Sequence, residues 1–159
     1  MKTPKKQYKD PILLGGKFFL KFMIIAGLFL TAVSCDDDED DEDPNDVFTA
    51  TLSGANENPP NDSEASGTAE LTFNKDTKIF YIEVEYTGIQ ATGAHIHLGA
   101  TGVNGGVVFG FNPPTSPINY TSEPLTAEQE SDLYNNLYYV NIHSEMYPAG
   151  EIRGQLTIE

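Results

Sequence analysis

The chain has 159 residues and a formal net charge of −15, from 24 acidic and 9 basic side chains. This composition excludes a nucleic-acid-binding surface, because phosphate contacts need clustered lysine and arginine. A single cysteine excludes both a disulfide-stabilised scaffold and a cysteine-based zinc cluster.

The first 34 residues are predicted to be a signal peptide. Six of the nine basic residues precede residue 22, and residues 22–33 then form a short apolar segment. That segment is too short to span a bilayer, which needs about 20 apolar residues, whereas a basic region before it is typical of a secretory signal. The only cysteine, Cys35, follows in the sequence AVSC, which resembles a bacterial lipobox. We therefore predict lipidation at Cys35, with an ordinary signal peptide beside an unmodified cysteine as the alternative.

Residues 35–46 are predicted to be the lipidated cysteine followed by an acidic, disordered tether. The segment from residue 36 is DDDEDDEDPND, and like charges at this density keep a chain extended and solvated. It is either a spacer alone or, by resemblance to Bacteroidetes lipoproteins, also a surface-export signal. These features predict a chain anchored to the cell envelope by lipid, at the outer membrane and exposed on the surface, with the membrane as a partner.

Residues 47–159 are predicted to form an all-β domain. Apolar and polar side chains alternate with a period of two, which is typical of half-buried strands. We predict about eight short strands arranged as a sandwich or barrel. The sequence TAEQ at residues 126–129 fits a capping box, which predicts one short helix near 127–135. The predicted strands lie at about residues 48–52, 69–73, 80–86, 94–98, 107–111, 118–122, 138–144 and 151–158.

The three histidines of the chain, His95, His97 and His143, are the candidate metal ligands. His95 and His97 flank one residue of a predicted strand, so their side chains project from the same face. If the strand that carries His143 pairs with it, three imidazoles gather in a set that suits Zn²⁺ or Cu²⁺. A local hydrogen-bonded network without metal is the interpretation that the sequence favours, and metal binding is the alternative. No nucleophile elbow, phosphate-binding loop or dinucleotide fingerprint occurs in the sequence, so we expect a non-enzymatic protein, with metal-dependent redox activity as the alternative.

The only arginine, Arg153, lies among apolar residues of the last predicted strand. An arginine in such a place usually pairs with a carboxylate, and we predict an ion pair with Glu57 or Glu151. Four tyrosines near the C-terminus are expected to pack at the rim of the domain, with a ligand-stacking platform as the alternative. They are Tyr134, Tyr138, Tyr139 and Tyr147.

Several separated motifs resemble the CHRD domain, which is named for chordin. They are FxAxLSGxNExPP at 48–60, GTA at 67–69, AHIHxG at 94–99, YVNIHS at 139–144 and PxGEIRGQL at 148–156. The resemblance implies an immunoglobulin-like β-sandwich or barrel, distantly similar to copper/zinc superoxide dismutases. Those enzymes bind copper with a strand HxH pair like His95 and His97, but they need several more histidines. With one further histidine, this chain cannot assemble a complete two-metal site.

Together these features predict a surface-tethered lipoprotein whose CHRD-like domain is a non-enzymatic binding or structural module of the cell envelope. Two alternatives stay open. One is a single-site copper or zinc protein that uses the three histidines. The other is an accessory lipoprotein that binds a glycan or an extracellular protein.

Overall fold

The structure is a computed structural model that describes residues 43–159. The predicted signal peptide, Cys35 and the acidic residues up to 42 lie outside the described residues. Within residues 43–159, no helix is both long enough and apolar enough to cross a membrane.

Residues 43–159 form one antiparallel sheet of nine strands with a single α-helix, which confirms the predicted all-β fold. The strand order is β5-β4-β7-β8-β1-β2-β3-β6, and β9 also pairs with β1. The strands are β1 (Asn45–Ser53), β2 (Ser66–Asn74), β3 (Ile79–Thr87), β4 (Ala91–Leu98), β5 (Val107–Gly110), β6 (Ile118–Thr121), β7 (Tyr138–Ser144), β8 (Ile152–Gln155) and β9 (Thr157–Ile158).

Alternating burial explains why these residues form strands. On β3, Phe80, Ile82 and Val84 are fully buried, whereas the side chains between them are exposed. The β2 and β3 strands pair along their whole length as an antiparallel hairpin. Lys78, in the turn that joins them, has a φ of 61°, and the Asn74 side chain accepts backbone N–H groups of this turn. Local sequence signals therefore determine this hairpin.

The sheet curves into a half-barrel that encloses the apolar core. The Phe109 ring of β5 lies 5.1 Å from the Phe80 ring of β3 and 6.3 Å from the Tyr120 ring of β6. Strands at opposite ends of the sheet thus meet across the core. Each large side chain buried there contributes about 1.5–3 kcal/mol relative to exposure, so this interior supplies most of the stabilisation.

The helix α1 (Ala127–Tyr134) begins at the predicted capping box. The Thr126 hydroxyl accepts the Gln129 N–H at 3.2 Å, and the Gln129 side chain accepts the Thr126 N–H at 2.9 Å. Leu133 is buried, and the Tyr134 ring packs edge-on against Phe48. The helix therefore packs against the sheet and covers one part of the core.

Two boundaries differ from the sequence prediction. The β1 strand begins at Asn45, so the last two residues of the predicted 35–46 tether belong to the folded domain. They are held there because Asp46 accepts a hydrogen bond from the Tyr134 hydroxyl and pairs with Lys75 at 3.4 Å. The predicted last strand divides into β8 and β9 because the Leu156 N–H bonds to Tyr138 O between them.

Candidate metal centre

The three candidate metal ligands lie on the face of β4 and β7 that points away from the core. On β7, Val140 and Ile142 face the core, so Tyr139, Asn141 and His143 project from the other side. This second face is also covered: Tyr139 is 2 % and Asn141 is 4 % exposed. Loop segments that contain Glu57, Gly105 and Pro148 close over it and create a buried polar layer.

Strand pairing brings the three histidines together. The β4 strand pairs with β7 so that Gly93 lies opposite His143, His95 opposite Asn141, and His97 opposite Tyr139. The ring centroids of the three imidazoles are 5.0–5.9 Å apart. One ring nitrogen from each histidine lies within 4.8 Å of the others. Two nitrogens bound to one ion at about 2.0–2.1 Å are at most about 4.2 Å apart. Small rotations of the three side chains would therefore bring their nitrogens to metal-binding distances.

One nitrogen of each ring is buried without a hydrogen-bond partner among residues 43–159. These atoms are His95 Nδ1, His97 Nε2 and His143 Nε2. The other nitrogens of two rings contact backbone carbonyls: His97 Nδ1 lies 3.0 Å from Gly105 O, and His143 Nδ1 lies 3.2 Å from Pro148 O. A carbonyl only accepts, so each Nδ1 carries the proton and each Nε2 keeps a free lone pair. This is the arrangement that orients metal-binding histidines in proteins.

Burial favours the neutral form of His95 and His143, which is the form that binds metal. Burial lowers the pKa of His95, and the neighbouring His143 and His97 lower it further. Burial also lowers the pKa of His143, although its hydrogen bond to Pro148 O opposes the shift. Both imidazoles are therefore neutral at physiological pH, as metal ligation requires.

Comparison with known protein families identifies the domain. A family model described as the CHRD domain matches residues 48–156, which include all three histidines. The chain belongs to the CHRD domain family. No curated protein matches it. Membership indicates a binding or structural module, and CHRD domains are generally non-catalytic.

Arg153 of the CHRD domain does not form the predicted ion pair with Glu57 or Glu151. The ion pairs within the described residues are Lys75–Asp46 and Lys78–Glu130. The guanidinium of Arg153 instead donates to the loop at residues 99–106, and its Cζ lies 3.4 Å from the Tyr139 ring centroid. Two backbone carbonyls, the Asn104 side-chain oxygen and an aromatic face take the place of the expected carboxylate.

The tyrosines of the CHRD domain do not form a shared exposed platform. Tyr138 lies in the core, and Tyr139 is stacked on His97 with ring centroids 5.0 Å apart and an interplanar angle of 9°. The contacts of Tyr139 and Gly105 with His97, at the candidate metal centre, were not predicted from the sequence. The available signal was the spacing of Tyr139, Asn141 and His143, which places the three on one face of β7.

Glu57 is a buried acid beside the same polar layer. It is 7 % exposed, and both Glu57 Oε1 and Asn141 Oδ1 lack hydrogen-bond partners among the described residues. A Cβ at Gly150 would lie 2.6 Å from each of these oxygens, so glycine permits their close approach. Burial raises the pKa of Glu57 from 4.5 to about 7, against the opposing effects of Arg153 and of the Asn58 backbone.

The raised pKa of Glu57 predicts a pH-dependent stability. The folded state holds the proton on Glu57 more tightly than the unfolded state does. The stabilisation of the fold that this proton provides is therefore complete below about pH 4.5 and is lost as the pH rises through about 7. We expect Glu57→Gln to remove the effect. The difference in unfolding free energy between the two chains should change by about 1–3 kcal/mol between about pH 5 and about pH 9.

Urea denaturation of both chains across this range is the measurement. Histidine titration contributes equally to both chains and cancels in the difference. A difference that does not vary with pH would show that Glu57 titrates normally.

Proposed function

We propose that the CHRD domain binds a single Cu²⁺ or Zn²⁺ ion through His95, His97 and His143, as a non-enzymatic module of the cell envelope. The observation that carries this proposal is the convergence of three buried imidazole nitrogens that have no hydrogen-bond partner within residues 43–159. When bound, the ion would accept all three lone pairs and keep a fourth position for water or another ligand.

A hydrogen-bonded network without metal explains these nitrogens less well. The Nδ1 protons of His97 and His143 are already used on backbone carbonyls. Only His95 Nδ1 could carry a proton toward the cluster, and one proton cannot serve both Nε2 atoms equally. A buried acceptor without a donor costs about 1–3 kcal/mol, so a network alone leaves this cost in place. A metal ion removes it.

The ligand set supports metal binding rather than dismutase chemistry. All three histidines of the chain are already in this cluster, so no histidines remain for a second metal. Imidazole nitrogen suits both zinc and copper, and three ligands with an open position suit either ion. The CHRD domain would therefore hold, sense or deliver a single ion.

Metal titration of the purified full chain tests this proposal. The chain should carry Cys35→Ala, which removes the one thiol, and should lack a polyhistidine tag. We expect one equivalent of Cu²⁺ or Zn²⁺ to bind near neutral pH. No saturable binding at micromolar metal would overturn the proposal.

The second part of the proposal is lipid anchoring through Cys35. Its support is the basic and apolar N-terminal sequence that ends in AVSC, followed by the acidic segment. With a net charge of −15, the chain is repelled by an anionic membrane surface, so acyl chains rather than charge must retain it. Each buried CH₂ group contributes about 0.8 kcal/mol, and more than one acyl chain makes the attachment durable.

Cys35→Ala should abolish metabolic labelling with a fatty acid and release the protein from the membrane fraction. Ser34→Ala is the matched control, because it changes the neighbouring position and leaves the thiol in place. Persistent labelling of the Cys35→Ala chain would contradict lipidation at this residue.

A further inference from the structure

We propose that Arg153 is a positioning residue for the metal centre: it acts through Tyr139 and the loop at residues 99–106 to orient the His97 imidazole. This inference rests on the proposed metal-binding function. It assigns a role to the only arginine of the chain, which is buried without a carboxylate partner among the described residues.

The His97 ring is held by two contacts. Its Nδ1 donates to Gly105 O at 3.0 Å, which fixes the tautomer and leaves Nε2 free. Its face lies against the Tyr139 ring at 5.0 Å with an interplanar angle of 9°, which fixes the plane of the imidazole. The direction of the Nε2 lone pair therefore depends on Gly105 and Tyr139.

Both of these groups are held in turn by their neighbours. The opposite side of Tyr139 is covered by the Arg153 guanidinium, whose Cζ lies 3.4 Å from the ring centroid. The Tyr139 hydroxyl accepts the Gly105 N–H at 3.1 Å. His97, Tyr139 and Arg153 thus form a stack, and Gly105 is bonded to two members of it.

Arg153 also fastens the loop that carries Gly105. Its Nη2 donates to Ala100 O at 3.2 Å and to Val103 O at 2.9 Å, and its Nη1 donates to Asn104 Oδ1 at 3.2 Å. The contacts therefore form a closed ring: His97 stacks on Tyr139, Tyr139 on Arg153, Arg153 bonds to the loop, and Gly105 of the loop bonds to His97. A planar guanidinium can stack on the ring and bond to three acceptors at once, which a lysine ammonium cannot do.

Metal affinity measured in combined variants tests this role. In the Cys35→Ala chain, Arg153→Lys should lower affinity for Cu²⁺ or Zn²⁺ by about 10- to 100-fold, as loss of a ligand-orienting contact does. If Arg153 acts through His97, Arg153→Lys should have no further effect in a His97→Ala chain. It should still lower affinity in a His143→Ala chain. If Arg153→Lys lowered metal affinity equally in the His97→Ala and His143→Ala chains, the proposal would be overturned.

A measurement on the metal-free protein separates this inference from the proposed function. Nitrogen-15 NMR of the imidazoles should show the Nδ1–H tautomer at His97 in the parent chain and a mixture of tautomers in Arg153→Lys. An unchanged tautomer would overturn the positioning role, whether or not the protein binds metal. Absence of metal binding by the parent chain would instead overturn the proposed function.

Two further variants keep the test decisive if Arg153→Lys does not fold. Asn104→Ala removes one acceptor of the guanidinium at an exposed loop position, and it should shift the His97 tautomer in the same direction by a smaller amount. Lys78→Met removes a partly exposed cation from the β2–β3 turn and should leave the tautomer unchanged. If Asn104→Ala left the His97 tautomer unchanged, the claim that Arg153 and its loop contacts orient His97 would be contradicted.

Discussion

Replacing His97 by alanine is expected to lower the affinity of the full chain for Cu²⁺ or Zn²⁺ by at least about 100-fold. The substitution removes the imidazole whose Nε2 is buried without a hydrogen-bond partner in the described part of the chain, and whose Nδ1 is fixed by Gly105. Two imidazoles then remain, and neither can compensate for the missing lone pair. Competition with a chromophoric chelator in the Cys35→Ala chain measures the loss.

A control variant makes this result specific to the imidazole cluster. Met146 lies three residues after His143 and is 79 % exposed, so Met146→Ala should keep the parent affinity. Every chain in the comparison retains the acidic segment at residues 36–46. If His97→Ala bound metal as tightly as the parent, the ion would have to bind elsewhere, and the proposed site would be wrong.

Gly105→Ala is expected to have the second large effect, on both stability and metal affinity. A Cβ at this position would lie 1.5 Å from Leu98 O and 2.6 Å from Leu98 C, and both atoms belong to the backbone of β4. The loop must therefore move, which breaks the contacts of Gly105 with His97 and Tyr139. We expect the free energy of unfolding to fall by about 2 kcal/mol or more, together with a loss of affinity.

The neighbouring glycine supplies the matched control. A Cβ at Gly106 would have no atom within 4 Å, and its backbone does not need a positive φ. Gly106→Ala should therefore retain both the parent denaturation midpoint and the parent metal affinity. Equal behaviour of the two variants in thermal denaturation and chelator competition would show that the close approach at Gly105 does not govern the site.

The fold could be predicted wherever the determining interactions are local. The alternation on β3, the hairpin turn at Asn74 and the capping box at Thr126 each depend on residues within a few positions of one another. The strand order could not be predicted, because it depends on non-local pairing such as that between β1 and β8. The division of the last strand at Leu156 likewise depends on a contact with Tyr138 O across the sheet.

The candidate site could be predicted only in part. The spacing of His95 and His97 places them on one face of a strand, and this follows from strand geometry alone. Their approach to His143 requires the pairing of β4 with β7, which are separated by more than 35 residues in the chain. The contacts of Arg153 could not be predicted, because two of its three acceptors are backbone carbonyls, which any residue can supply.

X-ray absorption of the zinc-loaded full chain carrying Cys35→Ala tests the central claim most directly. Three imidazole nitrogens at about 2.0–2.1 Å from the metal are the predicted ligand shell, with the fourth position taken by a light atom. In the His143→Ala chain the imidazole contribution should fall to two. A shell of oxygen atoms without imidazole scattering, unchanged by His143→Ala, would contradict the account.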